Sequence, residues 1–297
     1  MAMSTYAPFL FEYWPQLLTL TVAYYIVTVI LKVKNVNLQK SVVPKKKYIS
    51  PDIQAEIKDE DDVDDTDFNF KSALPEDLAH VPLSSYKRYS EEVMLERSLE
   101  FYQDMNNRRT LRYYSSEPVP REVIENIIRT AGTAPSGAHT EPWTFVVLSD
   151  PDLKQRVREL IEEEEEINYT KRMGNQWTKD LQPLKTDWVK EYLTEAPYII
   201  LVFKQAYGYN DDGTKKNHYY NELSVAISAG LLMAAIQRAG LVTLTSTPLN
   251  CGPGIRTLLN RPNNEKLTLL LPVGYPAKDA TVPNLTRKPL KEIMVWL

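Results

Sequence analysis

Arg108, Arg109 and Arg112 place three guanidinium groups within five residues. Each presents a rigid planar fork of N–H donors, so the cluster can clamp a phosphate. The same spacing also suits a solvated helix end, where cations meet the negative pole of the dipole. A second candidate is the stretch from Ala131 to Trp143. Small residues dominate it, Pro135 and Pro142 remove backbone donors, and Gly137 can take angles closed to other residues. Such a loop lets a planar ligand lie against the main chain, and it is equally the composition of a tight turn between helix and strand. Ser136 with His139 raises nucleophilic catalysis, but no GxSxG elbow surrounds Ser136, and a separation of three residues in a loop guarantees no geometry. Cys251 has no better setting and fits the role of a small buried residue. Glu165 and Tyr169, four apart, share one face of a helix. Carboxylates in a run such as Glu162 to Glu166 ordinarily face water, so spacing alone leaves both readings of Glu165 open.

Several classes of chemistry are disfavoured. The formal net charge of −4 argues against a nucleic-acid partner. One cysteine and three scattered histidines (His80, His139, His218) offer no HExxH or multi-cysteine pattern, so no metal site is expected. Neither GxxxxGK[ST] nor a strand-linked GxGxxG occurs, which leaves a P-loop and a Rossmann dinucleotide site without support.

These residues must be positioned by a domain that begins well into the chain. No charge occurs between Tyr13 and Leu31. As a helix that stretch spans roughly 28 Å, the thickness of a bilayer's hydrocarbon core. Tyr13 and Trp14 sit at its start, and Lys32, Lys34, Lys40, Lys45, Lys46 and Lys47 follow it. Positive charge on the C-terminal side predicts a single-pass anchor with the remaining chain in the cytosol; the membrane expected is the plasma membrane or that of a vesicle, and no residue distinguishes the two. A cleaved signal peptide is the other reading. No Lys or Arg precedes the span and no small-x-small site follows it. The expected organisation is therefore residues 1–12 as a short leading segment, 13–31 as a transmembrane helix, 32–82 as a polar and acidic tether, and 83–297 as the folded domain. Within that domain Ser90 caps a helix that fades near Asn106–Asn107, and a second follows Pro120, with Val123, Ile124, Ile127, Ile128 and Ala131 at helical spacing. Pro151 starts a third helix, and residues of about 160–195 form an insertion. Strands are expected at Phe145–Leu148, Pro197–Phe203, Leu241–Leu244 and Leu267–Pro276, with a core helix from Tyr220 to Ala239 and a loop over Gly208–Gly213. The mixture indicates an α+β domain.

Taken together, Arg108–Arg112, Thr133–His139 and Thr268–Pro276 resemble the flavin-binding nitroreductase superfamily. Within it, Pro135–Trp143, Glu162–Tyr169 and Thr247–Pro253 resemble the iodotyrosine deiodinase family. The resemblance runs from about Ser90 to the C-terminus. It implies a mixed central sheet flanked by helices, an intertwined homodimer, and FMN at the subunit interface. It assigns Arg108, Arg109, Thr110, Leu111 and Arg112 to the phosphate and polar edge of the flavin, with Ser136 and Arg287 as further contacts. Thr245, Ser246 and Thr247 match the segment beside its reactive face, Thr247 supplying the hydroxyl at N5. Glu165, Tyr169 and Lys190 match the residues that hold the zwitterion of a halotyrosine, and the Ala138 N–H matches the donor to its phenolate.

The implied activity is reductive dehalogenation of mono- and diiodotyrosine to tyrosine and iodide. Electrons come from NADPH through a partner reductase, in one-electron steps favoured by the N5 hydrogen bond, and the insertion acts as a lid. A general FMN-dependent nitro or quinone reductase needs the flavin site without zwitterion recognition. A membrane-tethered flavoprotein scaffold needs neither. Asn168-Tyr169-Thr170 and Asn284-Leu285-Thr286 are glycosylation sequons, unused if the domain is cytosolic.

Overall fold

The apolar run expected as a buried strand forms β2 (Tyr198–Gln205), the spine of a four-stranded sheet ordered β1-β2-β6-β5. Its partners are β1 (Trp143–Leu148), β5 (Val242–Thr243) and β6 (Glu265–Gly274). Side chains alternate across a strand, so a strand apolar at every position must be covered on both faces. Ile199, Leu201 and Phe203 pack on one side with Val157, Ile161 and Ile255. Ile200 and Val202 pack on the other with Ile124, Ile127, Val225, Leu232 and Ile236. Each such side chain contributes about 1.5–3 kcal/mol by leaving water.

The structure, a computed structural model, describes Thr28 and residues 72–297. The chain divides into compact units at 1–55 and 56–297, and Thr28, in a helix, is the described residue of the first. Apart from Thr28, the span expected at 13–31 and the tether up to residue 71 lie outside the described residues. Among the described residues no helix is long and apolar enough to cross a membrane.

The helices follow their start signals. Ser90 caps α1 (Glu91–Asn107), its Oγ accepting from the Val93 N–H, with Glu91 and Glu92 in the first turn. Pro120 precedes α2 (Arg121–Gly132), and Asp150 caps α3 (Pro151–Ile167) through the Leu153 N–H at 2.8 Å. α3 does not simply stop. It widens into a π turn (Asn168–Arg172), then α4 (Asn175–Leu181), a 3₁₀ turn at Gln182–Leu184, and α5 (Tyr192–Glu195). The core helix is α6 (Asn221–Arg238), followed by α7 (Gly252–Leu258) and α8 (Leu290–Ile293).

Two expectations change. The sheet is antiparallel at each of its ladders, not mixed; among the described residues parallel pairing is confined to the single bridge Thr110↔Thr243. The chain leaves β1 at Leu148 and re-enters β2 opposite it at Ile199, so α3 and the insertion form an excursion that returns to the edge it left. The loop expected at Gly208–Gly213 is instead the tip of a hairpin, β3 (Tyr207–Tyr209) with β4 (Lys215–Asn217).

Candidate functional site

The arginine cluster is assembled from the two ends of the domain. Arg108 leaves α1 with extended backbone (φ −63°, ψ 125°), and the chain then hooks onto β5 through the Leu111 N–H to Thr243 O, 3.3 Å. Leu111 is buried, so it anchors the segment and its side chain does not line the cavity. From the C-terminal tail, Arg287 donates to Asn106 O at 2.9 Å and to Arg108 O at 2.8 Å, and Arg109 donates to Pro283 O. Arg108, Arg109, Thr110, Arg112 and Arg287 thereby line a cavity of about 320 Å³, walled by Leu184 of the insertion. The Arg108 guanidinium is held below its ordinary pKa by partial burial first, then by the charges of Arg287 and Arg109. Crowded cations of this kind are relieved by an anion, and guanidinium forks suit phosphate oxygens. The donor set therefore fits the phosphate of FMN.

Beyond Thr243 the chain presents Thr245, Ser246 and Thr247. Ser246 exchanges both main-chain hydrogen bonds with Leu270, each 2.9 Å, which pins the segment to β6 and leaves Thr245 and Thr247 exposed.

The small-residue loop is conformationally demanding. Ala138 (φ 49°), His139 (φ 53°) and Glu141 (φ 46°) all lie in the left-handed region without being glycine. Each such residue costs on the order of 1–3 kcal/mol and persists where its surroundings over-determine it. A 3₁₀ turn closes the loop through His139 N–H to Ser136 O (3.1 Å) and Thr140 N–H to Gly137 O (3.2 Å). Opening N–H groups of a helical turn find no acceptor within it, and that of Ala138 is one of them. Ser136 Oγ accepts from the Glu141 N–H at 3.0 Å, which keeps its own O–H as a donor. His139 is exposed, 3.8 Å from Glu141, and far from the setting of a triad base.

The insertion carries the buried charges. Glu165 and Lys190 face each other at 3.7 Å, their side chains 10% and 6% exposed. Asn168 donates to Glu165 Oε1 at 3.2 Å, and Asn250 and Arg172 donate to Asn168 Oδ1. Lys190 Nζ also donates to Asp187 O and stands 5.4 Å from the Tyr169 ring, which packs edge-on to Trp188. Burial lowers the Lys190 pKa, Arg112 adding to the effect while Glu165 and Asp187 oppose it. Burial raises the Tyr169 hydroxyl, with Glu165 and Asp187 adding to it. The buried Tyr192 hydroxyl is raised further, although its side-chain hydrogen bond with Ser246 opposes the shift. Arg112 acts on Lys190, Tyr169 and Tyr192 alike, so it joins the arginine cavity to the insertion. Pro183, Leu184 and Lys185 line an adjoining cavity of about 270 Å³ with Thr110, Arg112 and Pro283.

The residues expected to act together thus fall into four described groups: the arginines with Arg287, the loop Ser136–Ala138, the segment Thr245–Thr247 pinned to β6, and Glu165–Tyr169–Lys190. Sequence reasoning missed Asn168 as a buried ligand of Glu165, Asn250 behind it, and the buried Tyr192, whose hydroxyl feels Arg112 and Glu165. Asn168 is 2% exposed, which removes its sequon as a glycan site. No spacing announces these residues, because their partners are distant in sequence. Among the described residues no His, Cys, Asp and Glu cluster can hold a metal ion.

Residues 105–275 match the Nitroreductase family. The chain is 61% identical over 250 residues to an iodotyrosine deiodinase of Danio rerio, covering 84% of each protein. It is 58% identical over 247 residues to iodotyrosine deiodinase 1 of Homo sapiens, covering 82% of this chain and 85% of the relative. A crystal structure of oxidized iodotyrosine deiodinase bound to FMN and 3-iodo-L-tyrosine superposes with a TM-score of 0.56 at 30% identity, over 64% of this chain and 95% of that one.

Proposed function

The chain belongs to the nitroreductase family and, within it, to the iodotyrosine deiodinases, and from that membership we propose that it is an FMN-dependent oxidoreductase converting iodotyrosines to tyrosine and iodide. The observation that carries the reading is the buried Glu165–Lys190 pair, 3.7 Å apart, in the insertion whose Leu184 walls the arginine cavity. An opposed carboxylate and ammonium complement the two charges of an amino-acid zwitterion. A bound substrate replaces the internal pair with one contact to each partner, Glu165 to its ammonium and Lys190 to its carboxylate.

Arg108, Arg109, Arg112 and Arg287 hold the phosphate and polar edge of FMN, with Thr110, Ser136, Thr245 and Ser246 as further contacts. Bound FMN supplies the electrons that expel the halide. Thr247, exposed beside the pinned Ser246, donates to flavin N5 and favours one-electron transfer. The Ala138 N–H donates to the substrate phenolate, and the insertion with Tyr169 excludes water as a lid. Leu95 and Leu99 on α1 and Leu223 and Ile227 on α6 are exposed at helical spacing, and no residue of α1 is buried. Faces this apolar call for a partner, which supports a homodimer. NADPH is the electron source through a partner reductase, and residues 13–31 anchor the domain to a membrane on its cytosolic side.

An anaerobic experiment tests the activity. Dithionite-reduced holoprotein is mixed with diiodotyrosine; iodide release concurrent with flavin reoxidation is the expected result. Reoxidation by quinones alone, with no iodide, would favour the general reductase.

A further inference from the structure

A chain of directed hydrogen bonds ends at the small-residue loop and is not accounted for by the roles above. Arg261 grips Glu265 with two contacts, 2.7 and 2.8 Å. A carboxylate so held only accepts, so Thr144 Oγ1, 2.7 Å from Glu265 Oε1, must donate to it. The Thr144 oxygen is then left to accept from Gln205 Nε2 at 3.0 Å. That fixes the Gln205 amide with its oxygen toward His218 Nε2, 3.2 Å away, and His218 must carry its proton on Nε2. The imidazole is 7% exposed, and its other nitrogen, Nδ1, is buried without a partner. Burial first, and Lys216 second, keep the ring neutral at physiological pH, with the pKa down to about 4.

Gln205 and Tyr219, the residue after His218, both touch the loop. At its exit, the Gln205 N–H donates to Pro142 O at 2.9 Å, and its side chain reaches Trp143 O at 3.5 Å. At its centre, Tyr219, adjacent to His218, lies so close to Gly137 that a Cβ there would sit 2.7 Å from Tyr219 O and 2.8 Å from Tyr219 Cβ. Between those two points of contact lie Ala138, His139 and Glu141, the loop's three residues with positive φ. A strained segment clamped on both sides is what fixes the direction of an N–H donor.

We propose that Gln205 and His218 are positioning residues for the Ala138 N–H, holding it in line with the phenolic oxygen of the substrate. This rests on the reading that the Ala138 N–H meets that oxygen. Replacing a neutral Nε2–H donor by an apolar side chain lets the hairpin edge at His218–Tyr219 relax away from Gly137, and the loop lowers its strain by turning the donor.

The test compares 3-iodotyrosine with 3-iodophenylalanine, which lacks the phenol, by flavin-fluorescence titration of the FMN-loaded full chain. Wild type should prefer iodotyrosine. His218→Leu should lower iodotyrosine affinity about tenfold, one hydrogen bond's worth, while iodophenylalanine affinity and FMN content stay unchanged. His218→Gln, which keeps a donor near the Nε2 position, should restore affinity. If His218→Leu fails to fold, His218→Leu with Gln205→Met leaves no stranded polar partner and should show the same selective loss. Equal weakening of both ligands, or no change for iodotyrosine, overturns the proposal. A wild type without preference for iodotyrosine overturns the phenolate reading itself, and the positioning role with it.

Discussion

Glu165→Gln separates charge from packing at the substrate end of the site. The carboxylate sits in the last turn of α3, 3.7 Å from Lys190 Nζ, with the Asn168 amide 3.2 Å from Oε1. Glutamine keeps an acceptor for Asn168 and nearly the same volume, so what is lost is the negative charge. A charge-assisted hydrogen bond is worth about 1.5–3 kcal/mol, which predicts binding of iodotyrosine weaker by roughly 10- to 150-fold. A second effect acts on Lys190. Glu165 is the first of the groups that oppose its lowered pKa, and Asp187 O remains as a partner after the substitution. The pKa of Lys190 should fall further, so the variant's residual affinity should decline at alkaline pH sooner than that of wild type. Stranding one member of a buried pair costs about 3–5 kcal/mol when nothing else compensates it. Here the retained amide and the Asp187 carbonyl reduce the cost, and it falls on the insertion, visible as faster proteolysis of residues 160–195. Flavin-fluorescence titration reads the affinity, and reduction of a nitroaromatic or quinone without an amino-acid group serves as control. An affinity within threefold of wild type (~0.6 kcal/mol), or an equal loss in the control reaction, would refute zwitterion recognition by this pair.

Three further predictions follow from local geometry. Gly137→Ala drives a Cβ against the Tyr219 backbone at 2.7 Å, which cannot yield like a flexible side chain; the variant should lose about 1–3 kcal/mol of stability in urea melts and most of its iodotyrosine affinity. His218 has its pKa lowered from 6.5 to about 4, so between those values the unfolded chain binds a proton that the folded chain refuses. Stability should therefore fall as pH drops from 6.5 to about 4, by ~3 kcal/mol at most, and His218→Gln should flatten that part of a urea-midpoint profile. Ile227→Asp on the exposed face of α6 places a charge on the surface assigned to the partner subunit; sedimentation should show a monomer with reduced FMN content, and an unchanged dimer would remove that face from the interface.

Local elements were legible because their signals are local. Ser90 caps the helix it was expected to cap, the third helix starts at Pro151 as expected, and the α1 helix ends at Asn107, within the expected pair. β2 reads as buried because every residue from Ile199 to Phe203 is apolar, and a strand with that composition has no face to offer water. The hairpin was not legible: Tyr207–Tyr209 and Lys215–Asn217 are short, polar-flanked and without alternation, so only pairing defines them. Antiparallel order was hidden for a related reason, since the direction in which a strand re-enters depends on how the preceding insertion packs. The site shows the same division. The types of Arg108, Arg109, Glu165 and Lys190 declare what they can bind, because charge and donor geometry belong to the side chain. Their meeting does not. Arg287 reaches Arg108 across 179 residues, Asn250 backs Asn168 across 82, and the Arg261–Glu265–Thr144–Gln205–His218 relay runs through strands β6, β1 and β2 and the loops that carry Arg261 and His218. Residue type determines the chemistry on offer, and only the packing of a sheet buried on both faces determines which groups lie within a hydrogen bond of one another.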